Sequence, residues 1–140
     1  MSQRNVEVIR HVFEAWEEGD LKRLEARLHD ALAPDFEMRP LYFDRIYKGV
    51  DGMLALWADS RGLWDDYRLK LSEIVDLDDH VLVLQHLTAR GIASGVPIDQ
   101  RLALLVTFEG TRAVRGTAFS SREAALEAVG LGNRTSSGQD

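Results

Sequence analysis

His86 is the side chain whose chemistry is easiest to name, because an imidazole titrates near neutral pH and, held in a pocket, can take or give a proton. It lies in the run Val81 to Arg90, which reads as one long strand. On an ideal strand His86, Thr88 and Arg90 share a face with Leu82 and Leu84, whereas Gln85, Leu87 and Ala89 share the other with Val81 and Val83. If the His86 face lines a cavity, a base and a cation share one polar wall; if it faces out, the same residues form a solvated or dimer surface. Arg39 and Arg101 offer a planar fork of donors that stays charged, suited to a carboxylate or enolate oxygen. Each can equally be a structural partner of Glu37 or Asp99, and Arg101 points away from Gln100, Leu102 and Leu104.

A second group is aromatic. Trp16, Tyr42, Tyr47, Trp57, Trp64 and Phe119 are spaced so that they can line one pocket, which implies an apolar or aromatic ligand; core packing is the competing reading for each. Tyr42 and Tyr47 stand out because a phenol carries a donor into an apolar wall. Phe13 is assigned to the core. Other chemistries find no support. The chain has no cysteine, so disulfides, thiolate catalysis and thiolate metal sites drop out. His11, His29, His80 and His86 are scattered without ligand spacing, so no metal site is expected. Gly91 to Gly95 has the wrong register for a nucleophile elbow, and no phosphate-binding glycine loop precedes a helix, so no cofactor is expected.

The elements that must hold these residues follow from period and punctuation. Val6, Ile9, Phe13 and Trp16 recur at helical spacing over residues 4–18. Gly19 and Asp20 end that helix and cap a second one, with Leu21, Leu24, Leu28 and Leu32 inward and Pro34 at its end. Phe36 to Arg39 alternates as a short strand, and Pro40 suggests an edge. Met53, Leu54 and Trp57 mark a third helix finishing near Gly62. From Tyr67 the period becomes two, slips at Glu73-Ile74 as a β-bulge would make it, and continues through Val81–Arg90, Ile98–Phe108 and Ala113–Phe119. Ser120 with Glu123 has the capping-box spacing for a last helix closed by Gly130, and residues 132–140 read as a disordered tail. The expected fold class is therefore α+β, with helices segregated to one face of a bent sheet.

Composition bounds the partners. A chain of 140 residues suits one domain, placed at residues 1–131. Lys and Arg number 17 against 23 Asp and Glu, a net charge of −6 with no basic cluster, which argues against nucleic acid. No segment has the length of a membrane helix or a secretory signal, so no membrane partner and a cytoplasmic location are expected. Asn133-Arg134-Thr135 matches a glycosylation acceptor with no secretory signal to support it.

Over roughly residues 4–131 the chain resembles the SnoaL-like branch of the nuclear-transport-factor-2-like superfamily. The resemblance rests on Phe13-Glu14-Ala15-Trp16 leading into Gly19-Asp20-Leu21, on Tyr47-Lys48-Gly49, on Asp99-Gln100-Arg101, and on Arg122 to Ala128 near the end. It implies a cone-shaped α+β barrel, a curved mixed or antiparallel sheet with the N-terminal helices over its concave face, and a homodimer through the outer sheet face. Members include ketosteroid isomerases, polyketide cyclases and epoxide hydrolases, and fold alone does not choose among them. The isomerase base would fall near Arg39, which cannot act as one, and the second acid near Leu104. The acid of the epoxide hydrolases would fall near Thr117, with that of the cyclases close to the same stretch. Leu104 and Thr117 are thereby left as ligand-contact positions. The resulting expectation is a pocket for an apolar carbonyl compound. In the enzymatic version His86 or a tyrosine moves a proton while Arg39 steadies an oxyanion; the alternatives are a non-catalytic carrier or sensor, or an interaction module using Leu105 and Thr107.

Overall fold

Gly19 and Asp20 decide how the first two helices meet. Helix α1 (Ser2–Glu18) stops where Gly19 adopts a φ of +75°, and the Asp20 carboxylate accepts the Arg23 backbone N–H at 3.1 Å to start α2 (Leu21–Ala31). The structure, a computed structural model, describes residues 2–130. The expected tail at 132–140 and the Asn133 acceptor lie outside the described residues.

Helix α2 buries Leu24, Leu28 and Ala31, while Leu21, expected inward, is exposed because the apolar stripe runs past its partners at the helix end. Leu32 is buried but no longer helical: the chain turns extended there and opens β1 (Leu32–Arg39) three residues sooner than Pro34 suggested. Pro34 is tolerated inside β1 because the register breaks between Leu32 and Glu37, where no ladder N–H is needed. Nor is β1 an edge. It pairs antiparallel with the two-residue β2 (Tyr47–Lys48) and parallel with β6 (Arg112–Phe119), and Pro40 falls just beyond the ladder.

After α3 (Gly49–Leu63) come β3 (Trp64–Leu77), β4 (His80–Gly91) and β5 (Pro97–Glu109), all antiparallel to their neighbours. The sheet is mixed and six-stranded, in the order β2-β1-β6-β5-β4-β3; it does not close, so the barrel is open with β2 and β3 at its edges. The phase slip read from the sequence is a register shift between Leu71 and Glu73, which moves the inward set from Tyr67, Leu69 and Leu71 to Ile74.

Helices α1 to α3 pack on the inner face, against Val81, Val83, Leu104 and Val106. The last helix, α4 (Arg122–Ala128), corrects the expectation of one helical face. It lies on the outer face, where Ala125 and Leu126 cover Leu82, Ala103 and Leu105. Its cap is Ser121, not Ser120: the Ser121 hydroxyl accepts the Ala124 N–H at 3.1 Å, which puts Glu123 in the first turn near the positive end of the helix. No helix among the described residues is long and apolar enough to cross a membrane.

Candidate functional site

The inner face and the three N-terminal helices do not pack solid. Between them lies a cavity of about 110 Å³, walled by α1, α2 and α3, by strands β1 and β3 to β6, and by the segment 40–43 ahead of β2. Gly116 helps keep it open, since a β-carbon there would stand 3.0 Å from Met38 Sδ and 3.4 Å from Phe36 Cζ. The walls are aliphatic and aromatic, and the described lining holds no Asp, Glu, His, Lys or Arg.

Besides Tyr42 at its mouth, three polar side chains interrupt it. Gln85 is only 5% exposed and makes no side-chain hydrogen bond among the described residues, so its amide meets the cavity with donor and acceptor both unused. Tyr67, at the start of β3, accepts a hydrogen bond from Trp16 Nε1 at 3.3 Å and has Ser60 as a second hydrogen-bonding neighbour. Ser60 lies beside the phenol and donates to the Leu56 carbonyl at 2.9 Å. Burial is the main influence on Tyr67 and pushes its pKa up, against the opposing pull of the Trp16 hydrogen bond, the Arg61 charge and Ser60. At physiological pH Tyr67 is therefore a donor and not a base.

Behind Tyr67 sits Arg61, whose guanidinium lies 4.2 Å from the Trp57 ring centroid and 4.7 Å from that of Tyr67. Its Nη2 donates to the Trp16 carbonyl at 3.2 Å, as does Trp57 Nε1 at 3.2 Å, so α1 is tied to α3 at the point where both present aromatics to the cavity.

Of the residues singled out in the sequence, Trp16, Tyr42, Trp64 and Leu104 line the cavity together. Tyr42 and Trp64 meet edge to face at 5.3 Å, and the Tyr42 hydroxyl reaches Gln100 Oε1 at 3.3 Å across the mouth. Burial raises the Tyr42 pKa. Tyr47 and Trp57 lie outside the lining. The Tyr47 hydroxyl donates to Asp59 at 2.7 Å with Arg45 over its ring, and burial first, then Asp59, raises its pKa; Trp57 is held by the α1–α3 tie.

Thr117 pairs with Leu105, and Phe119 packs under α4, so both face outward, while Gly116 and Ala118 between them face in. His86 also faces out, since the inward set on β4 runs through Val81, Val83, Gln85 and Leu87. Its Nε2 sits 2.6 Å from Asp99 Oδ1, and its cross-strand neighbours are Lys70 and Arg101. Arg39 is exposed at the end of β1, 3.7 Å from Glu37. Neither of the expected catalytic side chains reaches the cavity. Phe13, assigned to packing, lines it, and so do Tyr67, Ser60 and Gln85, which were not singled out. Gln85 had a signal: it is the one polar residue on a β4 face otherwise made of Val81, Val83, Leu87 and Ala89.

The outer face offers little apolar surface for a dimer seam where one was expected. Leu105 is 6% exposed beneath α4, and the uncovered half carries Lys70, His86, Thr88, Asp99 and Arg101. Among the described residues no three metal-ligating side chains gather.

Comparison with known proteins places this arrangement. The model of the SnoaL-like domain matches residues 9–116. Uncharacterized protein Rv0034 of Mycobacterium tuberculosis is 30% identical over 128 residues, covering 88% of this chain and 93% of that one. Among solved structures, an NTF2-like protein of Burkholderia thailandensis superposes with a TM-score of 0.71 at 19% identity, covering 89% of this chain and 96% of the other. TerC, co-crystallised with polyporic acid, gives 0.69 at 18% identity over 89% and 96%. The open sheet, the helices over its inner face and the match across most of the chain make this protein a member of the SnoaL-like domain family, with the NTF2-like ketosteroid isomerase fold.

Proposed function

We infer that this protein holds a small, largely apolar molecule carrying one carbonyl group, whose oxygen is met by the Gln85 amide and the Tyr67 hydroxyl. The observation that carries the reading is Gln85. Gln85 puts the one side-chain amide of the lining, without a protein partner, where a molecule in the cavity can pair with it, and such a hydrogen bond contributes about 0.5–1.5 kcal/mol. A cavity built only for packing gains nothing from such a residue; one that selects a polar group within an apolar body does.

Binding fits these walls better than proton abstraction. Tyr67, with its raised pKa, can donate to a carbonyl oxygen and polarise it, but the described lining supplies no side chain that would take a proton from carbon. A carrier or sensor, or an enzyme limited to carbonyl polarisation, matches that chemistry. The TerC neighbour, of the same fold and co-crystallised with polyporic acid, adds support for a small organic ligand.

Calorimetry with acetophenone and with ethylbenzene, matched in shape but lacking the oxygen, tests the reading on the native protein and on Gln85→Leu. The native protein should prefer the ketone about tenfold, the equivalent of one hydrogen bond near 1.4 kcal/mol, and the variant should lose the preference. Equal affinity for both compounds in the native protein, or a preference that survives in Gln85→Leu, would refute it.

A further inference from the structure

The cavity is small for the ligand its aromatic walls suggest. Pockets for drug-sized molecules measure roughly 300–1,000 Å³, and the cavity here measures about 110 Å³. A second depression, of about 350 Å³ and open to solvent, begins where the first ends: Tyr42 and Trp64 line both. Its floor and sides are Leu63 from the end of α3, and Ile92, Val96 and Ile98 from the β4–β5 hairpin.

These residues are not ordinary surface. Ile92 is 51% and Val96 56% exposed, and of the seven large hydrophobic side chains exposed among the described residues, Tyr42, Leu63, Ile92 and Val96 line this groove, while Leu41 lines the cavity beside it. Exposed apolar side chains scattered singly need no explanation, but five gathered at one mouth do. The hairpin that presents them is braced, with Ile92 N donating to the Leu63 carbonyl at 3.2 Å, Gly91 N to the Val96 carbonyl at 3.0 Å and the Ser94 hydroxyl accepting Val96 N at 3.1 Å. The groove is thus held open by the backbone and wants an aliphatic occupant.

We propose that the groove is a second subsite for the same ligand, and that the ligand is an alkyl ketone or acyl compound of medium chain length. Its carbonyl head lies in the cavity against Gln85, and its alkyl tail leaves past the Tyr42–Trp64 pair, which lines both spaces, to lie along Leu63, Ile92, Val96 and Ile98. The orientation follows from polarity: the unpaired amide is inside and the apolar strip outside, so the polar end enters first. The inference rests on the cavity binding a carbonyl compound, as proposed above, and adds to it the length and character of the rest of the molecule.

The test is a calorimetric series of phenyl alkyl ketones from acetophenone to nonanophenone, on the native protein and on Ile92→Ser/Val96→Ser. Both positions are more than half exposed, so the variant keeps its core. In the native protein affinity should rise by about fourfold for each methylene that enters the groove, the factor expected from about 0.8 kcal/mol per buried CH₂. In the double variant that increment should shrink to near unity, with acetophenone, which ends short of these residues, as the internal reference. A flat series in the native protein, or an unchanged increment in the variant, overturns the groove while leaving the cavity reading standing. Failure of every ketone to bind removes both. If the variant instead alters the sedimentation coefficient and leaves the increment intact, the strip is a contact for a second copy and the proposal fails.

Discussion

The two faces of strand β4 are built from alternate residues of one twelve-residue segment, yet they treat polarity in opposite ways. On the outer face His86 has Asp99 at 2.6 Å in an exposed contact and His80 has Thr107 at 3.1 Å in a partly buried one. On the inner face Gln85 stands among apolar side chains with no protein partner for its amide. A polar pair already satisfied on the surface asks for no ligand, whereas an amide without a protein partner in an apolar cavity is available to one. The residue most recognisable as chemistry in the sequence is therefore on the quiet face, and the functional tension sits one position away.

The sharpest way to break the comparison is on the outer face, where α4 makes a small core. Leu105→Arg would place a charge under Ala125 and Leu126 with no acidic partner in that cluster. It should cost at least about 3 kcal/mol in urea unfolding, by the penalty for burying an unpaired charge. An unchanged midpoint would mean α4 leaves that face readily and the outer sheet is free for another use, including a dimer seam.

The inner face gives an effect of opposite sign. Gln85→Leu keeps roughly the same volume and removes the unpaired amide, so the ligand-free protein should gain about 1 kcal/mol in the same measurement. A loss of stability would show that the amide is satisfied in solution and carries no cost to be relieved. Stability and ketone selectivity should thus move in opposite directions, the trade expected where a site holds strain for function.

What the sequence disclosed divides along the same line. The helices, the four long strands and the bulge near Glu73 were legible because period and glycine punctuation are local properties, and the two faces of β4 were separated correctly by alternation. Which face was inner was not legible, since that depends on which side α1 to α3 choose, a matter of long-range packing. The early end of α2 at Ala31 and the course of Pro34 inside β1 were missed for a related reason: a parallel partner, β6, recruits Leu32 across some eighty residues of chain. Among the site residues, large aromatics at the ends of elements, such as Trp16 and Trp64, were found by size. Tyr67 and Gln85 were passed over because each sat in a good strand pattern, and a single polar residue on an apolar face registers only when the face is known to line a space.

Alkaline pH probes the cavity more gently. Burial raises the Tyr67 pKa above the usual phenol value of about 10. The folded state therefore keeps the proton longer than the unfolded chain does, and the sign follows: this contribution is intact below pH 10 and is lost as pH rises from there through the folded pKa. Native stability should fall more steeply above about pH 10 than that of Tyr67→Phe, which has no phenol to ionise at that position. Identical slopes would mean that Tyr67 is as wet as a free tyrosine and its hydroxyl is not a buried donor.

The smallest effect should come from His86, and its smallness is informative. Asp99, its partner, is 78% exposed in its side chain, so water and salt screen the pair, and exposed ion pairs of this kind contribute about 0–1 kcal/mol. His86→Gln should shift the unfolding free energy by less than about 0.5 kcal/mol and leave ketone affinity and any turnover as they are, because nothing on the outer face of β4 touches the cavity. A fall in ligand affinity with stability held constant would carry the site through the sheet to its other side and overturn the separation of the two faces, whereas a fall in stability alone would only move the His86–Asp99 pair from the screened class of ion pairs to the stronger one.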